Sequence, residues 1–187
     1  ALEHPEDRGV GGGVDRAQRL LERGIAVITL QRSAPRLKHP NLHFRQIDLA
    51  DLNATQKLAQ ELAAEFPVRY LVNNAGANRP ALLEEASIDD FEYVTRITLG
   101  AAMLLTQAFV PAMRQAKFGR IVSISSRAVL GKTSRTVYAS AKAGLIGMTR
   151  TVASKFRRAL AEILVREGAD PDDLDCEIAR LMESLAP

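Results

Sequence analysis

A chain of 187 residues, 47% hydrophobic and 25% charged, has the balance of an ordinary globular domain and enough material for a single core. Its net charge of +3 comes from dispersed arginines, its aromatic content is 5% and it has no tryptophan, so nucleic-acid binding is not expected. No apolar run reaches the ~18–20 residues of a membrane span, residues 1–7 lack the apolar core of a signal peptide, and the single Cys176 cannot close an internal disulfide, so a cytoplasmic setting is expected. His4, His39 and His43 form no metal pattern, because Pro40 breaks the i,i+4 pair, and no metal is expected.

In chain order, Gly9-Val10-Gly11-Gly12-Gly13 precedes Val14, Ala17, Leu20 and Leu21 at helical spacing, and Gly24 stops that helix. Residues 25–30 are continuously apolar and β-branched, the pattern of a strand buried on both faces. Pro35 and Pro40 mark a loop, and residues 42–48 alternate as a second strand. A helix is predicted from Asp51 to Glu65, ended by Pro67, and a third strand over 68–72 runs into Asn73-Asn74-Ala75-Gly76. Ser87 is a candidate N-cap with Asp89 and Asp90 in the first turn. The long helix that follows runs to about Gln115, with bends expected near Gly100 and Pro111, and Gly119 breaks it. A strand over 120–124 and a helix from about Val137 into the 150s complete the alternation. Strands alternating with helices of these lengths predict βαβ units in a mainly parallel sheet with helices on both faces. Ligands in such sheets bind beyond the carboxyl ends of the strands, where Gln31-Arg32, Asp48, residues 73–76 and Ser125-Ser126 all fall.

The stretch from Ser125 to Lys142 carries the chemistry. Tyr138 and Lys142 are four apart on the predicted helix and so lie on one face. A phenol has a free pKa of about 10, and an ammonium one turn away favours its ionised form. A serine hydroxyl nearby can hold a substrate oxygen, so the three side chains suit proton transfer on a carbonyl/alcohol pair.

With these motifs in order, the chain resembles the short-chain dehydrogenase/reductase family over roughly residues 8–154. The resemblance rests on Gly9-Val10-Gly11, Asn73-Asn74-Ala75-Gly76, Ile124-Ser125-Ser126 and Tyr138-Ala139-Ser140-Ala141-Lys142, with Leu104-Leu105-Thr106-Gln107-Ala108 and Gly144-Leu145 also similar. It implies a Rossmann-type, three-layer, doubly wound α/β fold in one domain spanning 1–187. It also implies hydride transfer between a nicotinamide dinucleotide and a small-molecule carbonyl or alcohol, and a homo-oligomer built on the helices at 88–115 and 137–158. Tyr138 resembles the catalytic acid/base, and Lys142 the residue that tunes it and bonds the nicotinamide ribose. The second serine of such a pair is the usual catalytic one, which selects Ser126; the family's commoner interval to the tyrosine selects Ser125. We favour Ser126. Asn74, Ala75 and Gly76 resemble the cofactor-adjacent turn, Asp48 the residue that holds the adenine amino group, and Gly9 and Gly11 the phosphate loop. After the second family strand the chain reads Leu30-Gln31-Arg32-Ser33, without the carboxylate that favours NAD. Arg32 and Arg8 suit a 2′-phosphate, so NADP is the expected cofactor, with NAD as the alternative.

Three departures from the family pattern stand out. His4-Pro5 occupies the place of its threonine-glycine pair, and proline cannot donate a backbone N–H to pyrophosphate. Thr98 stands where the family's long helix carries an asparagine, and packing is its expected role. Beyond Ala153 the family would continue with another strand, whereas residues 154–167 here read as helix. Asp170-Pro171-Asp172-Asp173 then opens a second helix, with Leu174, Ile178, Leu181, Met182 and Leu185 as its apolar stripe. A C-terminal helical hairpin over 155–187 is therefore expected. The competing reading is a non-catalytic relative that keeps the fold as a binding or assembly module.

Overall fold

The computed structural model describes residues 12–155 and 160–164. Two compact units divide the chain, with residues 12–49 in the first and 50–155 and 160–164 in the second.

In the first unit, helix α1 (Gly12–Glu22) buries Ala17 and Leu21, four residues apart, and packs against strand β1 (Val27–Gln31). The helix ends in a paired cap: Ile25 N–H donates to Leu20 O at 3.0 Å and Gly24 N–H to Leu21 O at 2.9 Å, with Gly24 at φ 77°. Strand β2 (Leu42–Gln46) runs parallel to β1, from Val27 opposite Leu42 to Gln31 opposite Gln46. The expected full burial of the first strand is corrected here. All five residues of β1 are half-buried, because among the described residues its sheet has only two strands.

The second unit holds a three-stranded parallel sheet in the order β3-β4-β5, comprising Tyr70–Asn73, Arg120–Ile124 and Leu160–Leu164. Helix α2 (Leu52–Glu65) starts where the Asp51 carboxylate accepts the Ala54 N–H at 3.0 Å. It buries Thr55, Ala59 and Leu62 and ends at Phe66, which is extended as a residue before proline must be. Helix α3 (Ile88–Thr95) opens at Ser87, whose hydroxyl accepts the Asp90 N–H at 3.0 Å and donates to the Asp90 carboxylate at 2.9 Å. The bend expected near Gly100 takes the form of a π-helical turn over Arg96–Gly100, after which α4 (Ala101–Gln115) continues through Pro111. Residues 88–115 are long enough to cross a membrane and contain an 18-residue window of mean hydropathy 1.3, although no unbroken apolar run of that length is present. In the fold α4 buries Leu105, Phe109 and Met113 and lies against α2.

Gly119 does not provide the stop to α4. The left-handed residue is Lys117 (φ 53°), whose N–H donates to Arg114 O while Phe118 N–H donates to Met113 O, both at 3.0 Å. Helix α5 (Thr136–Lys155) buries Val137, Ala141, Leu145 and Thr149, a stripe at i+4 intervals, and carries the chain from β4 to β5.

Strand β5 corrects the helical reading of 160–164. A five-residue apolar run with one glutamate fits either period, and the open edge of β4 decides. Each residue from Arg120 to Ile124 gains a parallel partner from Leu160 to Leu164, satisfying ladder groups that a helix would leave unpaired. The helix predicted from Asp170 lies outside the described residues.

Candidate active site

Strands β3 and β4 are neighbours, with Asn73 paired to Ser123, so the turn at 73–76 and the serine pair leave the sheet side by side. A buried polar network fixes the two ends. Asn73 Nδ2 reaches Ser123 Oγ and Thr106 Oγ1, each at 3.5 Å, and Thr149 Oγ1 lies 2.9 Å from Ser123 Oγ. Thr149 also reaches Leu145 O at 2.7 Å within α5, and its contact with Ser123 is the one that ties the helix to the strand.

Lys142 is the centre of the site. It is 2% exposed, and its Nζ donates to Ile124 O at 2.7 Å. Burial lowers its pKa from 10.5 to about 8, because water no longer solvates the charged form. An ammonium has three donors, so two remain beyond the one spent on Ile124. The same Nζ stands 5.8 Å from the centre of the Tyr138 ring. Tyr138 is half-buried against a cluster of Ala77, Val94, Val137 and Ala141, which fixes its ring against the start of α5.

The serines differ in what their hydroxyls do. Ser125 Oγ donates to Lys142 O at 3.3 Å and so ties strand to helix. Ser126 Oγ accepts the Ala128 N–H at 3.1 Å, capping a 3₁₀ turn over Arg127–Leu130, and its own proton stays available for a substrate oxygen.

Gly76 lies over Lys142. A Cβ at this position would stand 3.3 Å from Lys142 Nζ and 3.5 Å from Thr98 Oγ1. Thr98 belongs to the π-helical turn, is 1% exposed, and its Oγ1 has no hydrogen-bond partner among the described residues. Packing alone, as expected from sequence, leaves that oxygen unsatisfied. Asn74 and Ala75 are half-buried beside Gly76, and Asn74 N–H donates to Val72 O at 3.1 Å.

These residues suit a nucleotide sugar. Gly76 leaves open backbone where a Cβ would press on Lys142 Nζ at 3.3 Å, and Lys142 offers donors immediately beneath it. In the first unit Gln31 is half-buried with its Nε2 donating to Ser33 O at 2.8 Å, while Arg32 and Asp48 are exposed at the strand ends. Arg8, Gly9, Gly11 and the His4-Pro5 pair lie outside the described residues.

The sequence reading passed over three contributors: Ser123, Thr106 and Thr149. All three look like ordinary strand and helix hydroxyls; the register of β3 with β4 brings Ser123 to Asn73, and the packing of α4 and α5 brings Thr106 to Asn73 and Thr149 to Ser123.

A parallel α/β arrangement with a polar turn, a serine pair and a buried lysine at the strand ends defines a Rossmann-type architecture. The family model for short chain dehydrogenase matches residues 7–166, and the chain belongs to that family. It is 35% identical over 159 residues to the (2S)-((R)-hydroxy(phenyl)methyl)succinyl-CoA dehydrogenase subunit BbsD of Thauera aromatica, covering 80% of this chain and 64% of that protein. It is 31% identical over 161 residues to the 3-oxoacyl-(acyl-carrier-protein) reductase FabG of Salmonella typhimurium, covering 82% and 65%. The chain thus spans a little under two thirds of the length of these relatives. Among solved structures, a metagenomic short-chain oxidoreductase in complex with NADP superposes with a TM-score of 0.84 at 26% identity, over 94% of this chain and 87% of that one.

Proposed function

We propose that the protein is an NADP(H)-dependent oxidoreductase that interconverts a small-molecule carbonyl and its alcohol. The observation that carries this reading is the buried Lys142, held on Ile124 O beneath Gly76 and one helical turn from Tyr138. Lys142 and the backbone at Asn74, Ala75 and Gly76 would hold the nicotinamide ribose end of the cofactor; by family resemblance, Asp48 and Gln31 would hold its adenosine end. Arg32, and by resemblance Arg8 with Gly9 and Gly11, would receive the phosphates. NADP is favoured over NAD because Gln31-Arg32 supplies a cation and no carboxylate at that strand end. The bound nicotinamide supplies hydride to the carbonyl carbon.

The chain's own residues do the rest. Ser126 donates its proton in a hydrogen bond to the carbonyl oxygen and holds it toward Tyr138. Tyr138 delivers a proton to that oxygen as negative charge develops on it, and takes one back in the oxidation direction. Lys142 keeps the phenolate accessible by its positive charge. Ser126 is preferred to Ser125 because the Ser125 hydroxyl is committed to Lys142 O.

Strand β5 weighs against one ground for the competing module reading, since a strand, where a helix was expected, pairs with β4. A reducing, cytoplasmic location and a homo-oligomeric state remain part of the proposal, the first from the lone Cys176 and the second by family resemblance. The test is NADPH oxidation against a panel of ketones, aldehydes and oxoesters. Tyr138→Phe is expected to lower kcat by roughly 10²–10⁴-fold while the folded protein still binds NADPH. Equal turnover by both proteins would overturn the mechanism.

A further inference from the structure

Between Ser126 and Tyr138 the chain carries Arg127, Lys132 and Arg135 and no acidic residue. The bias extends further: from Tyr93 to Ala161 there are twelve lysines and arginines and no aspartate or glutamate. A cation in this region must find its counter-ion elsewhere in the unit or on a ligand. Arg135 is held in place without one. Its backbone bridges to Ala81, on the segment that follows β3, and Ala81 N–H donates to Ser134 O at 3.1 Å. Ser134, the residue before it, is a non-glycine in the left-handed region (φ 60°), a conformation that persists only where the surroundings impose it. The Arg135 side chain is half-buried, and its Nη1 is enclosed with no hydrogen-bond partner among the described residues.

Two acids of α3 pair elsewhere. Asp90 is 3.4 Å from Arg79 Nε and accepts from Ser87, and Glu92 is 3.3 Å from Arg96. Glu84 and Glu85, exposed on a 3₁₀ turn over Leu83–Glu85, make no ion pair with Arg135. A guanidinium presents a planar fork suited to two oxygens of one oxyanion, and a buried donor left without an acceptor is destabilising. Ala139 N–H donates to Arg135 O at 2.7 Å, so Arg135 stands at the first turn of α5, three residues before Tyr138, and an anion held there lies within about one helical turn of the phenol.

We propose that Arg135 is the specificity-determining residue of the site, and that the substrate carries a carboxylate or phosphate group beyond its reacting carbonyl. This rests on the oxidoreductase reading above and adds the substrate class to it.

The experiment compares matched pairs of compounds: acetoacetate with methyl acetoacetate, and dihydroxyacetone phosphate with dihydroxyacetone. NADPH-dependent kcat/KM is measured for wild type, Arg135→Gln and Arg135→Lys, and the thermal shift given by each compound alone is measured in parallel. The ratio of anionic to neutral kcat/KM is expected to exceed one in wild type. It should fall by about 10–100-fold in Arg135→Gln, the range set by loss of a charge-assisted hydrogen bond, with partial recovery in Arg135→Lys. Preference confined to the first pair identifies a carboxylate, and preference confined to the second a phosphate. A ratio unchanged by Arg135→Gln, or equal losses on both members of a pair, would overturn the inference and leave the oxidoreductase reading standing. If no compound is reduced, that reading fails and the thermal shifts decide. An anion-specific shift lost in Arg135→Gln then supports the site, and the absence of any such shift overturns it.

Discussion

Lys142 holds a charge in a place that disfavours it, and this makes it measurable. Its folded pKa of about 8 lies below the unfolded 10.5, so between those values the unfolded chain binds a proton that the folded one does not. Stability therefore rises with pH across that window, as the buried ammonium is relieved of its charge. The difference in unfolding free energy between wild type and Lys142→Met should move toward wild type by roughly 3 kcal/mol from pH 8 to pH 10.5, followed by urea denaturation at each pH. A flat difference would mean that Lys142 is solvated in the folded protein. Gly76 sets the other boundary of the same group. Gly76→Ala brings a methyl to 3.3 Å from Nζ and must displace either the lysine or the turn. Kcat/KM is expected to fall by roughly tenfold, with a smaller change in melting temperature, because the ammonium moves while the core stays packed.

At the scale of elements, α5 does two jobs with one stripe. Val137, Ala141 and Leu145 bury it, and Lys142 and Thr149 place polar atoms along the same side, each bonded to a strand end or to its own backbone. The register of the helix against β4 therefore sets both the packing and the site. The end of α4 separates two roles that the sequence assigned to one glycine. Lys117 adopts the left-handed turn, while a Cβ at Gly119 would stand 2.5 Å from Met113 Cβ, with Met113 only 4% exposed. Gly119→Ala is expected to cost about 1–3 kcal/mol by overpacking against Met113. Lys117→Gly should leave stability unchanged or raise it by up to ~1 kcal/mol, since relief of left-handed strain offsets the added freedom of the unfolded chain. Urea titrations of the two variants check the contrast.

For the whole molecule, the decisive property is whether it binds a dinucleotide. A ligand that binds only the folded state must stabilise it, by about 2.7 kcal/mol at a hundredfold excess over Kd. For a chain of this size that is a rise in melting temperature of roughly 5–10 °C with NADPH. The shift with NADH at the same concentration should be smaller, and Arg32→Ala should narrow the gap, since it removes the guanidinium offered to the 2′-phosphate. Melting curves without any shift from either nucleotide would favour the binding-module reading.

Much of the fold was written in local patterns. The continuous apolar runs, the caps at Asp51 and Ser87 and the alternation of strand and helix follow from residue periodicity and turn chemistry, which act over a few residues and need no distant partner. The pairing of Tyr138 with Lys142 was equally legible, because helical spacing alone puts them on one face. Non-local partners decided the rest. The strand at Leu160–Leu164 exists because β4 has an edge to fill, against a helical period in the same residues. The lysine is a low-pKa group because the strand ends, Gly76 and the π-helical turn close around it, and desolvation depends on every atom nearby. Ser126 separates from Ser125 for the same reason: the two are adjacent in sequence, and only the fold sends one hydroxyl to Lys142 O and leaves the other its proton.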